Sequence, residues 1–174
     1  MVVAMSRDIC ARLYDAITAL RPDWHDPDIS KGAIKVVMTA SASDEQHLQP
    51  HHTSKQQKKD LEKRFKDPAD PLKIVIVRDM WLTGFDAPCM ATMYVDKPMK
   101  GANLAQAIAR VNRVFKDKPG GLIVDYIGIA PQLKEALATY TAAKGKGKPA
   151  LDTSEAVRIL KEQLQIAKDI LHPV

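Results

Sequence analysis

Gln106, Arg110 and Arg113 recur at helical spacing in the stretch LAQAIARVNRVF, residues 104–115. Residues on an α-helix turn ~100° apart, so positions i, i+4 and i+7 fall within roughly 60° of one another. One stripe therefore carries an amide and two guanidiniums. Leu104, Ile108, Val111 and Phe115 fall on the opposite side and predict a face docked on a core. Guanidinium forks match phosphate and carboxylate groups. The stretch read alone leaves two alternatives, an anion-recognising face or a solvated face with two ordinary arginines.

A second stretch with chemical content is WLTGFDAP, residues 81–88. Gly84 permits a left-handed turn and close approach of a ligand. Thr83 offers a hydroxyl beside backbone amides, Asp86 a carboxylate, and Pro88 stiffens the exit. The same residues also make an ordinary turn between two strands. Trp81 could stack on a base, but a core or interface role is expected for so large a ring. His47, His51 and His52 lack a cysteine or fourth ligand nearby, so no metal site is predicted. Cys10 and Cys89 have no histidine near them in sequence, and both read as small buried apolar residues.

These residues need a scaffold, and the hydrophobic pattern supplies one. Short apolar runs at 1–6, 33–40, 72–77, 91–96 and 122–128 read as strands, most of them continuously apolar. Helical patterns lie between them. Ile9, Leu13, Ile17 and Leu20 mark one at 7–20, and KQQKKDLEKRFK marks a basic one that ends before Pro68 and Pro71. Strands alternating with helices imply an α/β domain with a mainly parallel sheet covered on both faces. Functional loops then gather at the carboxyl ends of the strands. The segments after strands one and three and the start of the Gln/Arg helix converge there. PQLKEALATY reads as a further helix, and 143–152 as a Lys/Gly linker. Residues 153–174 read as a capped helix whose apolar line, Val157, Leu160, Leu164, Ala167 and Leu171, needs a partner. The first apolar run begins at residue 1, as in a chain cut at a domain boundary.

Composition sets broad limits. The chain has 174 residues, 45% hydrophobic, with a formal net charge of +5. That is enough for one domain with a core, and it favours an anionic partner such as nucleic acid. No apolar run approaches the ~18 residues of a membrane span. Two cysteines make no disulfide framework, which fits a reducing cytoplasm.

Taken together, WLTGFDAP and QAIARVNR resemble motifs V and VI of superfamily 2 helicases and translocases. Motif VI there runs Gln-x-x-Gly-Arg-x-x-Arg, with Ala109 here in place of its glycine. The stretch from VIVRDMWLTGFDAP to VDYIGIA is similar to one branch in particular, the motor (R) subunit of type I restriction–modification enzymes, where that alanine is normal. VVAMSRDIC resembles the subunit's motif IV. The likeness covers about residues 1–140 and only loosely the last thirty.

The resemblance implies a three-layer RecA-like domain of the P-loop NTPase type over 1–142, the second of two, followed by the linker and a C-terminal helical extension. It implies ATP and Mg²⁺ held mainly by a first RecA-like domain. The Gly-x-x-x-x-Gly-Lys-Ser/Thr loop of that domain is absent from these 174 residues. Arg110 and Arg113 would be arginine fingers, with Gln106 ordering them. Gly84 and Asp86 would meet the nucleotide. Ser6, Arg7, Thr39 and Thr83 would contact phosphates of double-stranded DNA, because a motor ignores sequence. The lysines of KQQKKDLEKRFK could add a salt-dependent term, or form a solvated face. Implied partners are the first RecA-like domain and the methyltransferase and specificity subunits. The implied activity is an ATP-dependent type I site-specific deoxyribonuclease, cytoplasmic, with the fragment alone inactive. Rival readings are a nucleic-acid-binding α/β module without ATP chemistry and another superfamily 2 helicase. A Rossmann-like enzyme would need a glycine-rich turn after strand one, and MSRDIC has none.

Overall fold

The structure, a computed structural model, describes residues 1–82, 84–129, 131, 132, 134 and 138. They belong mainly to a unit spanning Met1–Ala136; a second unit spans Leu137–Val174. The expected linker at 143–152 and helix at 153–174 lie outside the described residues, as does Thr83.

Five strands form one sheet: β1 (Val2–Ala4), β2 (Ile34–Val37), β3 (Ile74–Val77), β4 (Thr92–Asp96) and β5 (Leu122–Asp125). Their order is β2-β3-β1-β4-β5, and every neighbouring pair is parallel. The sheet is therefore wholly parallel, where the sequence predicts a mainly parallel one. Parallel strands buried on both faces need apolar residues at successive positions, and IVIV supplies them; IKVV does so except at Lys35, which is buried with its Nζ donating to the carbonyls of Asp26 (2.5 Å) and Asp28 (2.8 Å).

Three helices connect the strands: α1 (Arg7–Leu20), α2 (Lys55–Lys66) and α3 (Gly101–Val111). Right-handed crossovers place α1 on one face of the sheet and α2 and α3 on the other. Under α1, the buried residues Cys10, Ala11 and Tyr14 pack with Ala4, Ile34, Val36, Met38 and Ile76. The predicted line Ile9, Leu13 and Ile17 flanks that cluster, while Leu20, at the helix end, is 81% exposed. Facing the other way, Val3, Val37, Val75, Val77, Met93 and Val95 are buried together with Leu61, Leu104, Ala107 and Val111 of the two helices.

Capping chemistry fixes where the helices begin. Ser6 Oγ accepts from the Ile9 amide (3.1 Å) at the start of α1. Ser54 and Gln57 make a reciprocal capping box on α2. Cys10 is buried as expected, whereas Cys89 is only half-buried and its thiol donates to the Phe65 carbonyl at 3.3 Å.

Candidate functional site

The end of α3 departs from the spacing read in the sequence. The helix stops at Val111, so Arg113 and Phe115 lie beyond it rather than on its stripes. The cause is a cap from downstream. Lys118 Nζ donates to the Val111 carbonyl (3.0 Å) and to the Met90 carbonyl (2.9 Å). A cation on the last carbonyls of a helix satisfies orphan acceptors and meets the negative end of the dipole. Burial holds the Lys118 ammonium below the usual lysine range. Gly121 then passes directly against the helix end. A Cβ there would sit 2.1 Å from the Val111 carbonyl oxygen and 2.3 Å from its Cγ1, so only glycine fits. Phe115 leaves the helix face and pairs with Lys118 across a tight turn.

Arg110 and Arg113 nevertheless reach one place. Arg110 Nε donates to the Leu82 carbonyl at 3.0 Å. Arg113 Nη1 donates to Asp86 Oδ2 at 2.7 Å, with both side chains about half exposed. The turn between these acceptors carries Gly84 at φ +67, where an added Cβ would meet nothing within 4 Å. The glycine serves backbone conformation here, not steric clearance. Gln106 lies one turn before Arg110 on α3 and is exposed. Arg110, Arg113, Gly84 and Asp86 thus form one cluster, with Gln106 beside it. Trp81 is buried and stacked on Phe85, as a core ring would be.

Ser6, Arg7 and Thr39 form a second cluster at the carboxyl ends of β1 and β2. The Arg7 fork is already engaged. It grips Asp44 through Nη1 (2.7 Å) and Nη2 (2.6 Å), and Nη1 also donates to the Thr39 carbonyl (2.9 Å). Asp44 was not singled out from the sequence, yet it organises this corner. Its side chain is 2% exposed and also takes the Ser41 amide (2.9 Å) and His52 Nε2 (3.0 Å). The only sequence signal was a carboxylate in the polar loop SASDEQH.

Hydrogen bonds from Arg7 hold the Asp44 carboxyl below the usual carboxylate range. A depressed folded value contributes stability above the ordinary carboxylate pKa, and that stability is lost as pH falls through the depressed value. Urea midpoints of the chain should accordingly drop below about pH 4. In Asp44→Asn the midpoint should already be lower at neutral pH and should vary less in the acid range. Parallel wild-type and variant profiles would exclude this linkage.

A third group ties the central strands together. Asp79 pairs with Arg78 (2.8 Å) and with Lys97. Arg78 Nε donates to the Met5 carbonyl at 3.3 Å, and Lys97 Nζ to the Arg78 carbonyl at 3.2 Å. The ends of β3, β1 and β4 are joined by these bonds. The histidines divide among separate partners: His47 takes Asp8 (2.8 Å), His52 takes Asp44, and His51 stands edge-on to Tyr14. Among the described residues, no three His, Cys, Asp or Glu side chains are arranged to hold a metal, and no helix is long and apolar enough to cross a membrane.

A family model described as type I restriction enzyme subunit R domain 3 matches residues 19–128. The endonuclease subunit of type I restriction enzyme HindI from Haemophilus influenzae is 59% identical over 173 residues, 98% of this chain and 16% of that protein. The MjaIXP subunit of Methanocaldococcus jannaschii, assigned to the same enzymes, is 49% identical over 166 residues, 95% of this chain and 15% of that one. A fragment structure assigned to an HsdR subunit of a type I restriction enzyme from Vibrio vulnificus YJ016 aligns with a TM-score of 0.46 and 18% identity, covering 75% of this chain and 24% of that chain. The chain spans about a sixth of the length of the first two proteins.

Proposed function

Because the chain belongs to the R subunits of type I restriction enzymes and matches their domain 3, we propose that it is the second of two RecA-like motor domains and completes an ATP site shared with the first. One observation carries the reading. Two arginines at the Gln-x-x-Ala-Arg-x-x-Arg spacing dock on acceptors of a single Gly/Asp turn, Arg110 on the Leu82 carbonyl and Arg113 on Asp86. Such an arrangement keeps both guanidiniums beside one turn, where the half-exposed Arg113 can exchange a protein acceptor for a phosphate oxygen.

The first domain would hold the nucleotide phosphates and Mg²⁺, and bound ATP would supply the γ-phosphoryl group to be transferred to water. Arg113, half exposed and held by Asp86 among the described residues, swings to the developing negative charge. Arg110 follows from its anchor on Leu82, and Gln106, one helical turn earlier, orders the pair. Asp86 is then released to accept a ribose hydroxyl, and Gly84 supplies the left-handed backbone that the turn requires. Charge stabilisation by such arginines is worth on the order of 10³–10⁵ in rate.

Closure and opening of the cleft drive translocation on double-stranded DNA, whose phosphates meet Thr39, Thr83 and the backbone around Ser6. Arg7 acts mainly by fixing that corner, since Asp44 and Thr39 occupy its fork. In the holoenzyme, with methyltransferase and specificity subunits, the motor serves ATP-dependent DNA cleavage in the cytoplasm.

The test is ATP hydrolysis by the 174 residues and by the full R subunit, each with and without duplex DNA. The isolated chain should show no turnover and the full subunit duplex-stimulated turnover. Robust hydrolysis by the isolated chain would sink the shared-site reading. Stimulation by RNA but not by duplex DNA would point to a different superfamily 2 motor.

A further inference from the structure

We propose that Trp81 is a positioning residue for Arg110 and Arg113: its stack with Phe85 sets the spacing between the two acceptors on which these arginines dock. The inference rests on the functional reading above and assigns a cause to the geometry of that site.

The positions interlock in a specific way. The Trp81 and Phe85 rings lie 4.4 Å apart between centroids and 3° from parallel. The residue after Trp81 is Leu82, whose carbonyl takes Arg110. The residue after Phe85 is Asp86, whose carboxylate takes Arg113. Each stacked ring therefore immediately precedes one docking acceptor. Fixing the rings fixes the separation of the acceptors, and with it the separation of the guanidiniums.

The stack is itself anchored. Phe65 of α2 lies against both rings, 5.9 Å from Trp81 and 6.2 Å from Phe85, and Lys66 Nζ stands 5.2 Å over the Phe85 ring. All three aromatic side chains are buried. The turn is thus referred to a helix on the sheet rather than to neighbouring loop residues.

Backbone conformation separates this arrangement from ordinary core packing. Trp81 sits at φ +66, in the left-handed region. A bulky residue there is an outlier that persists only where its surroundings over-determine it, and such residues gather at ligand clamps and switches. Glycine would adopt that conformation freely, yet position 81 carries the largest side chain. The ring is what the site requires, and the stack with Phe85 is what it provides.

Misplacing catalytic groups by ~1 Å can cost on the order of 10²-fold in rate. Trp81→Leu in the full R subunit keeps an apolar side chain and removes the ring. We expect kcat for duplex-stimulated ATP hydrolysis to fall about 10- to 100-fold on that scale, with KM for ATP nearly unchanged, because the phosphates are held by the other domain. Trp81→Phe keeps a ring that can stack on Phe85 and should recover most of kcat. Loss in the leucine variant with recovery in the phenylalanine variant supports the proposal. A folded leucine variant with wild-type kcat overturns it, and so does an equal loss in both. If Trp81→Leu does not fold, Phe65→Leu loosens the stack from α2 without changing a residue of the turn; a kcat loss there supports the proposal and wild-type kcat overturns it. Arg113→Ala, assayed alongside, separates the two levels. Full turnover in that variant removes the functional reading and this inference with it. An inactive Arg113→Ala beside an unaffected, folded Trp81→Leu removes this inference alone.

Discussion

Arg113→Ala in the full R subunit should lower duplex-stimulated ATP turnover by on the order of 10³-fold or more while leaving the fold intact. The two halves of this expectation have separate causes. Arg113 lies past the end of α3, and its one protein partner among the described residues is Asp86, at 2.7 Å across a half-exposed pair. Exposed pairs of this kind contribute about 1 kcal/mol or less, so removing the side chain barely changes stability. Its effect on turnover is large only if the guanidinium meets charge that builds in the transition state, where a preorganised donor outweighs its ground-state interactions. Arg113→Lys should recover little, since an ammonium cannot present two parallel N–H donors. Arg110→Ala should also lose orders of magnitude, with an additional stability cost, because Arg110 is more buried and holds the Leu82 carbonyl. The measurement is steady-state ATP hydrolysis beside thermal unfolding of each variant. Turnover within about threefold of wild type, under 1 kcal/mol of barrier, would leave both arginines as solvated side chains.

That cluster was legible in part, and the limits are instructive. The types and spacing of Gln106, Arg110, Arg113, Gly84 and Asp86 are sequence properties, and so are the apolar runs that became β1 to β5. The end of α3 was not legible. Helical periodicity runs unbroken from Leu104 through Phe115, and what stops it is a lysine seven residues past Val111 and a glycine ten residues past it. Neither contributes to periodicity, because both act from the returning chain. Asp44 was invisible for a similar reason. Its partner Arg7 lies 37 residues away, and nothing near either residue distinguishes that pairing from others in a charged chain. The left-handed backbone at Trp81 is opposed by residue type, so a local rule predicts the reverse of what tertiary packing imposes. Repeating patterns give the elements. Single long-range contacts decide where they end and which side chains are held still.

The same lesson sets the second large expectation, at a residue with no part in the chemistry. KQQKKDLEKRFK reads as a basic helix, but Arg64 differs from its lysines by burial, with a side chain only 10% exposed. Its guanidinium donates to the carbonyls of Ile29 (2.7 Å), Lys31 (3.0 Å) and Gly32 (3.0 Å), and to both Asp70 oxygens (3.1 and 3.0 Å). These bonds clamp the Pro/Asp-rich loop before β2 to the segment that leads into β3. They also act on Asp70: burial pushes its carboxyl up, but the bonds from Arg64 and the Leu72 amide outweigh burial and hold it below the usual range. Arg64→Ala leaves three carbonyls without this donor and leaves the Asp70 carboxylate with the Leu72 amide but no guanidinium. Removing one partner of a buried pair costs roughly 3–5 kcal/mol, and partial access to water puts this site near the lower end. A loss of ~3 kcal/mol is more than a hundredfold in the folding equilibrium. Arg64→Lys should recover only a minority of it, because one ammonium cannot span three carbonyls and a bidentate carboxylate. Arg64→Ala combined with Asp70→Ala should cost less than the two single changes summed, since removing both partners leaves no unpaired carboxylate. Urea unfolding of the four proteins measures each quantity. An Arg64→Ala loss within about 0.5 kcal/mol, the range of ordinary surface changes, would place Arg64 among the solvated lysines of its helix and leave the loop before β2 held by the sheet alone.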